Sequence, residues 1–130
     1  MVLDTSAITC MLLGEPEAAR MEAAVEADSV RLISAATTVE VSIVLEAKLG
    51  EPGVWAFDHW LNVMAAVTLD VNAAHAELAR RAYRRFGKGR HVAGLDYGDC
   101  FAYAACAATG EPLLFKGDDF SQTDLVAVAY

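Results

Sequence analysis

The sequence predicts an α/β fold built as three layers, α/β/α, around a mostly parallel central sheet. Short apolar runs suited to strands, Val2-Leu3, Val30–Ile33, Val67–Asp70 and Leu113–Phe115, alternate with longer segments of helical periodicity. That alternation is the signature of parallel strands joined by helical crossovers. The length, 130 residues, suits one domain spanning residues 1–130, which would bury about two thirds of its unfolded surface without staples. A 55% hydrophobic composition without low-complexity tracts or internal repeats agrees with one packed core.

Val2-Leu3 leads into Asp4-Thr5-Ser6-Ala7, where Asp4 is placed to cap a helix running through Cys10 to Leu13. An N-cap is the ordinary role for such an Asp. It also stands at the carboxyl end of a strand, where open α/β sheets bind ligands, with the Ser6 hydroxyl beside it. Glu15-Pro16-Glu17 opens a second helix that ends near Asp28-Ser29, and Val30–Ile33 is the second strand. Ala35 to Leu45 is apolar or small except for Glu40. Glu46 and Lys48 already supply the solvent-facing charge further along, so Glu40 is either a first-turns acid favoured by the helix dipole or employed in chemistry.

Gly50-Glu51-Pro52-Gly53 breaks that helix, and Val54–Ala66 forms another, with Trp55 and Trp60 read as core or subunit contacts. Val67–Asp70 is the third strand and Val71–Phe86 an amphipathic helix. His59, His75 and His91 share no paired spacing and read as structural. Arg80, Arg81, Arg84, Arg85, Lys88 and Arg90 are six of the ten basic residues, gathered in eleven positions. The i,i+4 pairs Arg80/Arg84 and Arg81/Arg85 form one cationic helix edge, which is either simply solvated or a grip on RNA phosphates. Cys100 to Gly110 carries no charge and predicts a buried helix capped by Gly110. Asp99 falls in its first turn, where the dipole is expected to keep a carboxylate ionised. After the Gly110-Glu111-Pro112 turn, Leu113–Phe115 is a strand that runs into Gly117-Asp118-Asp119, and Leu125–Tyr130 predicts a last short strand.

Three cysteines in no C-x-x-C spacing support neither a disulfide framework nor a zinc ribbon, and point to a reducing cytoplasm. The first residues meet a charge too early for a signal peptide, and no uncharged run approaches the ~18 residues of a membrane span. A net charge of −8 argues against loose, sequence-independent nucleic-acid binding by the whole surface. It suits a metal-hungry pocket or a basic partner.

Asp4, Glu40, Asp99 and one of Asp118 or Asp119 come from four segments, each at a strand end or near a helix start. Carboxylates gathered there repel unless a cation compensates, and Lys116 is the one lysine near the set. A hard divalent ion answers the need, and all-carboxylate ligation suits Mg²⁺, with Mn²⁺ the alternative, over Zn²⁺. Such ions generate hydroxide and stabilise the leaving oxygen in phosphodiester hydrolysis.

On Met1-Val-Leu-Asp-Thr-Ser-Ala7, Glu40, Gly94-Leu-Asp-Tyr-Gly-Asp-Cys-Phe-Ala-Tyr103 and Pro112-Leu-Leu-Phe-Lys-Gly-Asp-Asp-Phe120, the whole chain resembles a PIN-domain ribonuclease of the VapC toxin type, from type II toxin-antitoxin systems. The resemblance implies a PIN-like fold and a Mg²⁺-dependent endoribonuclease with an acidic tetrad at Asp4, Glu40, Asp99 and Asp119. It makes Asp4 and Asp99 the direct metal ligands, with Asp118 the alternative fourth acid and Ser6 a supporting hydroxyl. It leaves Asp96 outside the set, and it implies a homodimer neutralised by a VapB-like antitoxin whose basic tail occupies the acidic pocket. Two other readings compete. A receiver-like phosphoacceptor domain would use Asp70 with Lys116, and a catalytically inactive module would keep only the antitoxin interface. A haloacid-type phosphatase lacks the second aspartate of its D-x-D motif at Asp4-Thr5-Ser6.

Overall fold

A computed structural model describes all residues from 1 to 130. The chain forms β1 (Val2–Leu3), α1 (Thr5–Leu12), α2 (Ala18–Ala27), β2 (Leu32–Ser34), α3 (Ala35–Leu49) and α4 (Glu51–Val63). It continues through β3 (Val67–Leu69), α5 (Ala73–Phe86), α6 (Tyr97–Thr109), β4 (Leu113–Leu114) and a short 3₁₀ turn, Phe120–Gln122. The sheet order is β3-β2-β1-β4 with every pairing parallel. Consequently β1 lies in the sheet interior, and the residue that follows it is buried from the start.

The pleat sorts side chains to opposite faces. Val2 and its register partner Leu113 pack with α5 and α6, among Ala82, Phe86, Ala102 and Tyr103. Leu3 and its partner Leu114 face the other way, into a second core with Ile8, Met21, Val41, Leu45 and Phe57 from α1 to α4. Two apolar faces on one sheet demand two helical layers, and the result is the expected α/β/α sandwich. Trp60 belongs to the second core, whereas Trp55 is exposed.

Two expectations about single elements need correction. Leu125–Tyr130 is not a strand but one parallel bridge, Leu113 with Ala127, held by Leu113 N–H to Val126 O and Val128 N–H to Leu113 O, both at 2.9 Å. β4 has two residues, and Leu114 spends its carbonyl on the Asp4 N–H at 3.0 Å. Only Leu113 remains to pair outward, so the sheet ends there. The uncharged run from Cys100 is not where its helix starts either: the helix begins at Tyr97, capped by Asp96, which puts Asp99 in the first turn as expected.

Candidate metal centre

Asp4 follows β1 directly and caps α1. Its Oδ2 accepts the Ser6 N–H at 2.9 Å and the Ser6 hydroxyl at 2.5 Å. The side chain is almost wholly buried, and burial drives its pKa upward, the nearby Glu40 charge adding to that rise. Ser6 is held in turn, since its Oγ accepts the Lys116 backbone N–H at 2.9 Å.

Asp99 occupies the first turn of α6 in a reciprocal capping box with Asp96. The Asp99 N–H donates to Asp96 Oδ1 at 3.1 Å, and the Asp96 N–H donates to Asp99 Oδ2 at 2.8 Å. The expectation that the helix start keeps Asp99 ionised is overturned. Burial pushes its carboxyl up to about 7, and the charges of Asp4, Asp96 and Asp119 push the same way. One favourable backbone bond does not outweigh desolvation combined with three like charges.

Glu40 lies on the second turn of α3, and its Oε2 accepts the Thr5 hydroxyl at 2.5 Å. Its carboxylate rests against the α6 backbone at Gly98, where an added Cβ would stand 2.6 Å from Glu40 Cδ. Only glycine admits that approach. Thr5 and Gly98 were both missed as site residues by sequence reasoning. The usable signal was Gly98 itself: a glycine inside a helical segment costs about 1 kcal/mol against alanine, so it asks for a packing reason.

Asp118 and Asp119 are both exposed, but they differ in what they face. Asp119 is among the charges that raise Asp99 and Asp118 is not, while the Asp118 carbonyl accepts from the Ser121 N–H and hydroxyl in a local turn. Asp4, Glu40, Asp99 and Asp119 are therefore linked electrostatically, through elements as far apart in sequence as α1 and the 3₁₀ turn.

Lys116 does not compensate this set. Its Nζ lies 2.6 Å from Glu15 Oε2 and 2.8 Å from Glu17 Oε2. With Cys10, these two glutamates place three potential ligand atoms within 4.8 Å of one another. That second cluster is a poor home for a divalent ion. The ammonium already supplies its positive charge, and burial raises the Cys10 thiol further from the thiolate a metal requires. The carboxylates of Asp4, Glu40, Asp99 and Asp119 do not close to that spacing as a group, but they are all-oxygen, no side-chain cation is bonded to them, and burial raises the pKa of Asp4 and Asp99. A hard divalent cation fits that donor set.

The basic strip divides in two. Arg85 pairs with Asp124 at 2.8 Å and donates to the Tyr103 hydroxyl at 3.3 Å, and that hydroxyl donates to Asp124 at 2.6 Å, so Arg85 tethers the C-terminal segment. Arg81 bonds Glu77 at 3.3 Å. Arg80 also reaches Glu77, but it lines a groove of about 710 Å³ together with Arg84, Lys88, Arg90, Tyr83 and Tyr97. Asp96, Tyr97, Cys100 and Phe101 also line the groove, on either side of Gly98 and Asp99 in sequence. Only Arg80 and Arg84 of the four arginines border it. The receiver-like reading fails on topology: Asp70 follows β3 and Lys116 follows β4, at opposite edges of the sheet and roughly 14 Å apart at the usual strand spacing.

A family model described as "PIN domain" matches residues 1–126. The chain is a PIN domain. Within that family it belongs with VapC proteins. It is 54% identical over 129 residues to "VapC ribonuclease Mb0640" of Mycobacterium bovis, which covers 99% of this chain and 98% of that relative. "Ribonuclease VapC30" of Mycobacterium tuberculosis matches at the same identity and coverage. "Ribonuclease VapC" of Mycolicibacterium smegmatis is 51% identical over 128 residues, 98% of this chain and 99% of its own. Among solved structures, Mycobacterium tuberculosis VapC20, described as a "Sarcin-Ricin loop cleaving toxin", superposes with a TM-score of 0.79 over 98% of this chain and 97% of that one. At 18% identity it speaks for the PIN fold alone.

Proposed function

We propose that this PIN domain is a metal-dependent endoribonuclease, the toxin of a type II toxin-antitoxin pair, with Asp4 and Asp99 as its direct metal ligands. What supports the reading is VapC membership together with the mutual charge effects among Asp4, Glu40, Asp99 and Asp119, which no ion pair offsets while the lysine nearest the set is bonded elsewhere. Mg²⁺ is the ion such a donor set prefers, with Mn²⁺ the alternative. When bound, it would lower the pKa of a coordinated water and stabilise charge on the phosphodiester oxygens. The protein's own share is positioning: Ser6 and the α1 cap orient Asp4, the Asp96 capping box orients Asp99, and Thr5 with Gly98 fixes Glu40.

The groove beside the site supports RNA as substrate. Arg80, Arg84, Lys88 and Arg90 gather positive charge there in a chain whose net charge is −8. Two protein partners follow from VapC membership, a second copy of the chain and a VapB-like antitoxin. Exposed Val39 and Ile43 on α3, with Tyr97 opposite, supply an apolar face of the kind that protein partners cover. No helix is long and apolar enough to cross a membrane.

The test is RNA cleavage in Mg²⁺ with and without chelator, by wild type and by Asp4→Asn and Asp99→Asn. Cleavage should require the metal and vanish in both variants while the circular dichroism spectrum is unchanged. Full activity in either variant removes that residue from the metal site, and cleavage that persists in chelator removes the metal mechanism.

A further inference from the structure

Lys116 is the only residue of the segment 116–119 that hydrogen-bonds outside its own loop, and it does so twice. Its ammonium bridges Glu15 and Glu17 on the α1–α2 connection at 2.6 and 2.8 Å. Its backbone N–H donates to Ser6 Oγ at 2.9 Å, and Ser6 passes the contact on to Asp4 Oδ2 at 2.5 Å. Past Lys116 the chain reverses at Gly117, whose φ of 99° lies in the region glycine favours, and delivers Asp119. Phe115 and Phe120, both buried with ring centroids 5.2 Å apart, pin the two ends of this loop.

We propose that Lys116 is a positioning residue for the metal centre: clamped by Glu15 and Glu17, it fixes both the loop that carries Asp119 and the hydroxyl that orients Asp4. The proposal rests on the metal-centre reading above. It also gives the Cys10, Glu15 and Glu17 cluster a role. Two glutamates on a surface connection hold a half-buried ammonium whose main chain reaches the site, so that cluster acts on the tetrad from outside it. An ammonium between two carboxylates sets a direction for the loop that a single hydrogen bond to a flexible turn would not.

The experiment compares whole-protein variants Lys116→Met, Lys116→Arg and the double variant Glu15→Gln/Glu17→Gln. Mg²⁺ affinity is read by calorimetry, and loop order by amide hydrogen exchange over the peptide spanning 115–120. Removing a group that orients metal ligands weakens metal affinity about 10–100-fold. The Met variant and the double variant should both show that loss together with faster loop exchange. The Arg variant keeps the positive charge between both carboxylates and should lose less affinity than the Met variant. Wild-type affinity in the Met variant overturns the proposal. So does a Met variant that loses affinity while the double variant keeps it, because the clamp would then be irrelevant. Should Asp4→Asn and Asp99→Asn still bind Mg²⁺ as wild type does, the metal-centre reading itself falls, and the proposal with it. Loop exchange tells the two failures apart, since the clamp orders the loop with or without metal.

Discussion

Replacing Asp99 by Asn should make the metal-free protein more stable at pH 8 while removing its response to Mg²⁺. In the folded chain the Asp99 carboxyl is pushed from 3.8 to about 7, first by burial and then by Asp4, Asp96 and Asp119. Forcing it to ionise at pH 8 costs at most about 4 kcal/mol, at 1.36 kcal/mol per tenfold change. Asn keeps an oxygen for the Asp96 N–H, but it forfeits about 0.3–1 kcal/mol of charge–dipole attraction at the start of α6. Part of the ionisation cost comes from the Asp4 charge, which is itself weakened by burial. The expected gain is about 2–3 kcal/mol. With an unfolding entropy of about 2.1 cal/mol/K per residue over 130 residues, this is a rise in Tm of about 7–11 °C. The sign depends on pH in a checkable way. Between the unfolded value of 3.8 and the folded value of about 7, the native state holds a proton that the unfolded chain has released. Wild-type stability from this group therefore falls as pH rises through that window. At pH 5 the gap between variant and wild type should narrow by more than half. Scanning calorimetry in chelator at the two pH values measures both numbers, and a Mg²⁺ titration at pH 8 should raise Tm for wild type only. An Asn variant less stable than wild type at pH 8, or a gap equal at both pH values, would refute the electrostatic account of the site.

Other variants probe the supporting geometry. Gly98→Ala gains about 1 kcal/mol of helix propensity in α6 but drives a methyl into the Glu40 carboxylate, so thermal stability should stay within about 1 kcal/mol of wild type while kcat/KM falls at least about tenfold. Unimpaired turnover would mean that the Glu40 position is not needed. Arg80→Gln/Arg84→Gln should weaken RNA binding and lower the slope of log K against log salt by about 1.4, whereas Arg81→Gln should leave the slope alone. Equal effects from the two sets would return the strip to a merely solvated edge. Tyr103→Phe removes the hydroxyl shared by Arg85 and Asp124 and should cost about 0.5–1.5 kcal/mol in denaturant melts without changing RNA affinity. A change in affinity would tie the Arg85 contact to substrate.

Strand-helix alternation, the Gly110 cap and the apolar run around Glu40 were legible because each depends on residues within a turn or two of one another. The layers followed from the same local logic, since Val2 and Leu3, like Leu113 and Leu114, send consecutive side chains to opposite faces. Carboxylates at strand ends and helix starts could likewise be picked out as a set, because those positions are defined along the chain. Which of them act on one another's charge depends on the fold. Asp99 shows the limit best: its helix position argues for ionisation, and burial in the folded chain, aided by the charges of Asp4, Asp96 and Asp119, reverses that. Lys116 and Gly98 show it again. Whether an ammonium turns toward the tetrad or toward Glu15 and Glu17, and whether a glycine admits a carboxylate from another helix, depends on distances across the fold. Electrostatic energy falls with separation in space, and separation along a chain carries no record of it.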